Sequence, residues 1–160
     1  VVAHAKMHGI KVAWNPSAYQ IKESRDEVMS MLSLIDVLVF NAEEAELLLG
    51  CGKPKEHLMQ LNRIGIPYVA ITDGKKGAYL SDKGRMFHCE AQNAKVVETT
   101  GAGDAFASGL VGGLALKNDM MLGAQIGMNN SASVVSYYGA KNILLNYKES
   151  IKKKVKTSAI

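Results

Sequence analysis

Aromatic residues are scarce in this sequence, which has one Trp and three Phe among 160 residues. Proteins that bind single-stranded nucleic acids stack bases on aromatic side chains along a basic groove, and here the basic residues are not interleaved with aromatic ones. The net charge is only +4. Four lysines fall within the last nine residues, Lys152, Lys153, Lys154 and Lys156. This run predicts the solvated end of a helix rather than a nucleic-acid site.

Long apolar runs and paired cysteines are also missing. No stretch approaches the roughly 18 consecutive apolar residues of a membrane-spanning helix, and no signal peptide is recognisable. Cys51 and Cys89 form no Cys-x-x-Cys unit, so no disulfide framework is indicated. These absences favour a cytoplasmic protein with no membrane or nucleic-acid partner. With 48% hydrophobic and 21% charged residues, the chain is predicted to form a soluble domain with its own core.

The order of apolar runs and turn residues predicts an alternation of helices and strands. Helices are predicted over residues 1–8, 23–34, 41–49, 54–63, 101–116 and 120–138. Strands are predicted over residues 11–14, 36–40, 67–72, 78–80, 85–89 and 95–98. The nearly continuous apolar run at 36–40 is typical of a parallel strand covered on both faces. The predicted fold class is therefore α/β, a three-layer α/β/α sheet that is mostly parallel with an antiparallel edge.

Polar clusters follow three of the predicted strands. They are Asn15, residues 41–44 and residues 72–77. In open α/β sheets, ligands bind at the carboxyl ends of the strands. The sequence therefore predicts a ligand site at this edge of the sheet.

A glycine-rich segment, Thr99-Thr100-Gly101-Ala102-Gly103-Asp104, lies between a predicted strand and a predicted helix. Its small residues leave backbone N–H groups accessible at the helix start, where unpaired donors and the helix dipole favour anions. Charge that develops on a transferring phosphoryl group would be stabilised there. The dipole also favours the ionised form of Asp104, which is either a plain helix-start acid or a base for an attacking hydroxyl. Because Gly-Ala-Gly and two threonines precede this acid, we predict the catalytic role.

The same glycines also resemble the Gly-x-Gly-x-x-Gly fingerprint of dinucleotide-binding proteins, with the last glycine replaced. In that role Asp104 would face a pyrophosphate and repel it. The acid expected about 20 positions later is matched only by Asp119, which lies between two predicted helices. A dinucleotide-dependent oxidoreductase is therefore the less favoured alternative.

Several motifs together resemble one family. The signature at residues 98–106, Glu-Thr-Thr-Gly-Ala-Gly-Asp-Ala-Phe, is similar to that of the ribokinase-like (PfkB-type) carbohydrate and nucleoside kinases. Residues 41–44 resemble the family's Asn-x-x-Glu motif, and residues 72–77 resemble its Thr-x-Gly-x-x-Gly nucleotide loop. Asn15-Pro16 lies where the family often has Asp or Asn before Pro. The order and spacing of these motifs agree with the family over most of the chain.

The resemblance implies an ATP-dependent phosphotransferase that acts on a hydroxyl of a sugar, a nucleoside or a similar small molecule. By this analogy Asp104 is the base, and the backbone of Gly101, Ala102 and Gly103 forms the anion hole. Asn41 and Glu44 would organise Mg²⁺ near the triphosphate, largely through water. A helix N-cap and a capping-box acid are alternative roles for these two residues.

The resemblance also implies which residues line ATP. They are Thr72, Gly74, Gly77, Thr100 and Asn130. A plain turn is the alternative for the glycines, and a solvent-facing position is the alternative for Asn130. The family signature usually opens with Asp where this chain has Glu98, which leaves dependence on a monovalent cation open.

The sequence opens on Val1 rather than Met and begins inside a predicted helix. We therefore expect residues 1–160 to be the C-terminal, ATP-binding and catalytic part of one ribokinase-like domain, without its N-terminal substrate and lid part. The expected partners are a small-molecule sugar or nucleoside and, as one candidate assembly, a second copy in a homodimer. A nucleotide-binding module without transfer activity remains an alternative.

Overall fold

The computed structural model describes residues 1–160. Its helices are α1 (Val2–Met7), α2 (Ala18–Glu23), α3 (Arg25–Met31), α4 (Ala42–Leu49), α5 (Pro54–Ile64), α6 (Ala102–Lys117), α7 (Met120–Val134) and α8 (Tyr147–Ser150), with 3-10 turns at Leu32–Leu34 and Gly74–Lys76. Its strands are β1 (Ala13–Trp14), β2 (Val37–Asn41), β3 (Tyr68–Thr72), β4 (Ala78–Asp82), β5 (Arg85–Cys89) and β6 (Thr157–Ala159). No helix combines the length and the apolar character that crossing a bilayer requires.

The chain divides into two compact units. The first contains Val1–Asp73, Ala78–His88 and Ser158–Ile160, and the second contains Gly74–Gly77 and Cys89–Thr157. The strands lie in the order β1-β2-β3-β4-β5-β6. Strands β1, β2 and β3 run parallel, whereas β4 is antiparallel to β3. The predicted α/β class, with parallel strands and an antiparallel edge, is confirmed.

One hydrophobic core explains how the first unit holds together. Alternate residues of β2 and β3 enter it, because successive side chains of a strand point to opposite faces. They pack with the buried sides of helices α2 to α5, and the fully buried members include Leu38, Phe40, Val69, Ile71, Leu48, Leu58 and Leu61. This packing fixes the carboxyl ends of β2 and β3, where the predicted ligand residues lie.

Helices α6 and α7 pack closely in the second unit because glycines line their contact. A Cβ atom on Gly109 would lie 2.6 Å from the Cα of Gly127. A Cβ atom on Gly113 would lie 2.5 Å from the backbone nitrogen of Gly123. Such separations leave no room for side chains, so the two backbones themselves meet.

The predicted helix over residues 23–34 is wrong in its bounds. Ser17 caps a helix that begins at Ala18, through a capping box in which the Gln20 side chain accepts from the Ser17 N–H. Ser24, at φ −143° and ψ 45°, then separates α2 from α3. The Ser-x-x-Gln capping signal explains the earlier start.

The end of α7 and the segment before the signature also differ from the prediction. Residues 95–98 form no strand, and α7 ends at Val134 rather than near Tyr138. The carbonyl of Val135 accepts from the N–H groups of Val97 and Glu98 at 2.8 and 3.3 Å. The N–H of Gly139, which would bond that carbonyl in a longer helix, donates to Glu98 Oε2 instead.

The basic C-terminal run is not a helix end, which corrects that prediction. Helix α8 stops at Ser150, and the chain returns to the sheet as β6. Side-chain amides bond the backbone carbonyls at and after the end of α8. The Gln125 amide donates to the carbonyl of Ile151, and the Asn129 amide donates to the carbonyls of Ser150 and Lys153. The lysines at 152–154 and 156 are exposed.

Candidate active site

The start of α6 has the geometry that an anion site requires. Gly101 is the N-cap residue at φ +81°, and a Cβ atom there would lie 2.6 Å from the carbonyl oxygen of Ala140. Glycine therefore both permits the left-handed backbone and avoids a clash. Nothing lies within 4 Å of a Cβ built on Gly103, so the approach to this turn is open.

The amides of this first turn differ in their partners. Ala102 N–H donates to the carbonyl of Thr99 at 3.2 Å. No side chain caps the helix, and the first amides of any α-helix have no acceptor within the helix. The N–H groups of Gly103 and Asp104 are therefore more available to a ligand than the N–H of Ala102, which already bonds the carbonyl of Thr99. Asp104 is the third helical residue and its side chain is exposed.

Glu98 ties the signature to the chain beyond α7. Its Oε2 accepts from Gly139 N–H at 2.8 Å. The pKa of Glu98 lies below its ordinary value, chiefly because of this bond and to a smaller extent because of the Thr100 hydroxyl. Two segments about 40 residues apart are thus joined beside the start of α6. Thr100, which we predicted to contact nucleotide, is thus close enough to affect the pKa of this carboxylate.

A cavity of about 500 Å³ lies within the second unit. Its lining residues are Gly74, Lys75, Ala91, Gln92, Asn93, Ala94, Val96, Thr99, Ala102, Met128, Ser131, Ala132 and Val135. Small-molecule sites have this size and this mixture of apolar walls with a few polar groups. The cavity brings together Gly74 of the predicted nucleotide loop and Ala102 of the predicted anion hole.

Helix α7 forms one wall of this cavity, but not through Asn130. The lining positions 128, 131, 132 and 135 share one helical face. Asn130 is 7% exposed, and its amide donates to the carbonyl of Ile126 and accepts from the N–H of Leu145. The solvent-facing alternative for Asn130 is wrong, and the structure does not bring this residue into the cavity.

The predicted nucleotide loop is a tight turn built on two glycines. Gly74 has φ +51° and Gly77 has φ +95°. The N–H of Gly77 donates to the carbonyl of Gly74 at 3.1 Å. A Cβ atom on Gly77 would overlap the carbonyl oxygen of Cys89, so no other residue fits there without movement.

In the first unit, polar residues gather where β2 and β3 end. Asn41 and Thr72 are paired in the parallel register. Asn41 and Glu44 form a capping box at the start of α4: Glu44 N–H donates to Asn41 Oδ1 at 2.8 Å, and Asn41 N–H donates to Glu44 Oε2 at 2.9 Å. The capping roles that were alternatives in the sequence are therefore present. Asn15 also belongs to this edge, because its Nδ2 donates to the carbonyl of Val39 at 2.7 Å.

Comparison with known proteins identifies the family. The family model described as pfkB family carbohydrate kinase matches residues 2–146. The chain belongs to the pfkB family. The resemblance seen in the sequence motifs is thus confirmed over nearly the whole chain.

Two curated relatives that match this chain have the names of different kinases. Ribokinase from Staphylococcus aureus (strain COL) is 36% identical over 143 residues, which cover 86% of this chain and 45% of that protein. ATP-dependent 6-phosphofructokinase from Thermoanaerobacterium thermosaccharolyticum is 27% identical over 145 residues, which cover 88% of this chain and 45% of that protein. The chain thus spans less than half the length of these two relatives.

A solved fructokinase structure has the same fold. Fructokinase from Vibrio cholerae O395, in its form with fructose, ADP and a calcium ion, matches with a TM-score of 0.83 and 28% identity. The match covers 93% of this chain and 52% of that one. The ribokinase-like fold is therefore confirmed.

Several cavity residues were not predicted from the sequence. Lys75 falls within the recognised loop, but at a position that the motif leaves variable. Ser131 and Ala132 follow Asn130 directly, and only the orientation of α7 distinguishes the three. The small side chains at 131 and 132 are a weak signal, because small residues also occur where helices pack.

Proposed function

We propose that this chain is the nucleotide-binding and catalytic part of a kinase that transfers the γ-phosphoryl group of ATP to a hydroxyl of a sugar or nucleoside. One observation carries the proposal. Asp104 is exposed in the first turn of α6, beside backbone amides that no side chain caps. A proton acceptor and an anion-binding group thus lie on the same helical turn, as phosphoryl transfer requires.

In the proposed reaction, Asp104 takes the proton of the acceptor hydroxyl as its oxygen attacks the γ-phosphorus. The bond from that phosphorus to the bridging oxygen breaks, and ADP leaves. The backbone N–H groups of Gly103 and Asp104 stabilise the charge on the oxygens of the transferring phosphoryl group. Ala102 and the backbone of Gly101 contribute to the same stabilisation. The positive end of the helix dipole acts in the same direction.

The 500 Å³ cavity is the proposed site for part of the nucleotide. Gly74 and Ala102 line it, and Gly77 shapes the loop that carries Gly74. We propose that Asn130 acts by holding the chain at Leu145, and that Ser131 and Ala132 take its place at the nucleotide. Thr72 and Thr100 stay predicted contacts of ATP.

Magnesium is the proposed metal, because pfkB relatives are kinases and Mg²⁺ prefers oxygen ligands with bound water. The donor set at the end of β2 fits this preference. Glu44 has a partly exposed carboxylate whose Oε2 is engaged by the Asn41 N–H. The carboxylate can therefore orient metal-bound water while it caps the helix. The metal would neutralise phosphate charge.

The acceptor class is proposed from relatives alone. The named relatives are a ribokinase and a 6-phosphofructokinase, and the fructokinase structure holds fructose. A cytoplasmic location, a homodimer and the assignment of residues 1–160 to one part of a single domain stay predictions. Monovalent-cation dependence stays open.

Two measurements test the proposal. Saturating ATP with Mg²⁺, at about 100 times its Kd, should stabilise the chain by about 2.7 kcal/mol, which raises Tm by about 5–10 °C at this size. NAD(P) should have no such effect, and stabilisation by NAD(P) alone would support the oxidoreductase. The full-length protein should then produce ADP with one or more members of a sugar and nucleoside panel. ATP binding without any turnover would reduce the function to nucleotide binding.

A further inference from the structure

The cavity of the second unit carries its charge at one position. Lys75 is the only charged residue among those that line it, and the others are apolar, glycine or neutral polar residues. Neither acid of the signature, Glu98 or Asp104, is among them. An anionic group that enters this cavity would therefore meet a single cationic side chain.

The backbone that carries Lys75 is held in place. It lies in the 3-10 turn Gly74–Lys76, which the bond from Gly77 N–H to the Gly74 carbonyl closes. The carbonyl of Cys89 packs closely against Gly77 and limits its movement. Because both ends of the turn are fixed, the ammonium can reach the cavity with only its own side-chain torsions left to order.

The other polar groups at the cavity are neutral, and one of them is already engaged. Gln92 Nε2 donates to the carbonyl of Lys154 at 2.9 Å, so it anchors the C-terminal segment. Asn93 and Ser131 are uncharged and suit a base or a ribose as well as a phosphate. Among the side chains that line the cavity, Lys75 is therefore the one that can distinguish charged from uncharged ligands by its own charge.

We propose that Lys75 binds the phosphate chain of the nucleotide and makes this cavity select nucleoside di- and triphosphates over nucleosides. This proposal rests on the proposed function and adds a specificity-determining residue to it. An ammonium group contributes charge-assisted bonds to phosphate oxygens, and it has no comparable partner in adenosine. Since Lys75 is exposed, solvent and salt should weaken the effect without abolishing it.

The test compares ADP and adenosine binding by isothermal titration calorimetry in wild type, Lys75→Met, Lys75→Arg and Lys95→Met. Lys95 is a matched control because it is exposed and lies between two cavity residues, Ala94 and Val96, without lining the cavity itself. Each Lys→Met change removes one positive charge and keeps an unbranched side chain. Titrations with and without Mg²⁺ separate the lysine from the metal.

Lys75→Met should weaken ADP binding about five- to tenfold, as expected for a charge-assisted contact that is partly exposed. Its adenosine affinity should stay within about twofold of wild type, because no charged partner is lost. Lys75→Arg should keep most of the ADP affinity, and Lys95→Met should resemble wild type. The wild-type affinity for ADP should also fall more steeply with KCl than that of Lys75→Met.

Four results would overturn the proposal. An unchanged ADP affinity in Lys75→Met refutes it while leaving the proposed function intact. Equal losses for ADP and adenosine show that the change disturbed the cavity rather than a phosphate contact. Equal losses in Lys75→Met and Lys95→Met show a general charge effect. A wild-type chain that binds no nucleotide refutes the proposed function itself, and this proposal with it.

Discussion

Adjacent glycines of α6 provide a sharp test of how the helix pair is built. A Cβ atom on Gly113 would lie 2.5 Å from the backbone nitrogen of Gly123, whereas ordinary van der Waals contact begins at about 3.4 Å. Nothing lies within 4 Å of a Cβ atom on Gly112. Both are interior residues of the same 16-residue helix. Alanine at 113 therefore tests the close approach, and alanine at 112 is its matched control.

The expected stabilities have opposite signs. Replacing a helical glycine by alanine gains about 1 kcal/mol from helix propensity, so Gly112→Ala should raise the free energy of unfolding by about 0.5–1 kcal/mol. Gly113→Ala has the same gain but must push two backbones apart. Overpacking of a buried contact costs about 1–3 kcal/mol or more, and here the obstacle is main chain that cannot rotate away. A net loss of at least about 1 kcal/mol is expected.

Urea denaturation followed by circular dichroism measures the free energy of unfolding of both variants. The slope of that free energy against urea concentration should be unchanged if the native and denatured states stay comparable. The two variants should differ in Tm by roughly 4–10 °C at this chain length. Gly113→Ala should also weaken ADP binding, because α7 forms a wall of the cavity. Equal stability of the two variants would refute the account of the helix contact.

Two further predictions concern the pKa of Glu98 and the turn at Gly77. Because the Gly139 N–H lowers the pKa of Glu98 from 4.5 in the folded state, its stabilising effect is present above pH 4.5 and is lost as pH falls through the folded-state value. Glu98→Gln should therefore lose less stability than wild type between pH 7 and pH 3, measured as urea midpoints, and identical losses would contradict this role. Gly77→Ala should destabilise the chain more than Gly84→Ala, since both glycines have φ near +90° but only a Cβ on Gly77 meets the Cys89 carbonyl. Gly84→Ala should cost about 1–2 kcal/mol of backbone strain alone, and equal Tm values for the two variants would show that the overlap is relieved.

Elements with strong local signals could be predicted from the sequence. Residues 36–40 and 67–72 are rich in apolar and β-branched residues, and they form β2 and β3 within one residue of the predicted bounds. Gly101-Ala-Gly103 before Asp104 predicted the helix start, because glycine permits the left-handed N-cap that the structure has. The spacing of Asn41 and Glu44 indicated a capping box as their alternative role, and the structure contains it.

Features that depend on distant bonds could not be predicted. The end of α7 is decided by bonds from the region of Glu98, about 40 residues earlier in the chain. The course of the C-terminal run depends on Gln125 and Asn129, which bond its carbonyls. The direction of Asn130 depends on Leu145 in the same way. None of these pairings leaves a periodic pattern in the sequence.

Asp104 carries the central claim, and its isosteric amide tests it most directly. The measurement is the single-turnover rate of phosphoryl transfer by the full-length protein carrying Asp104→Asn, with the Kd of ADP determined on the same sample. Loss of a general base should lower the rate by about 10²–10⁴-fold, while the Kd stays close to wild type because the helix start and its amides are retained. A rate within tenfold of wild type would contradict the assignment of Asp104 as the base.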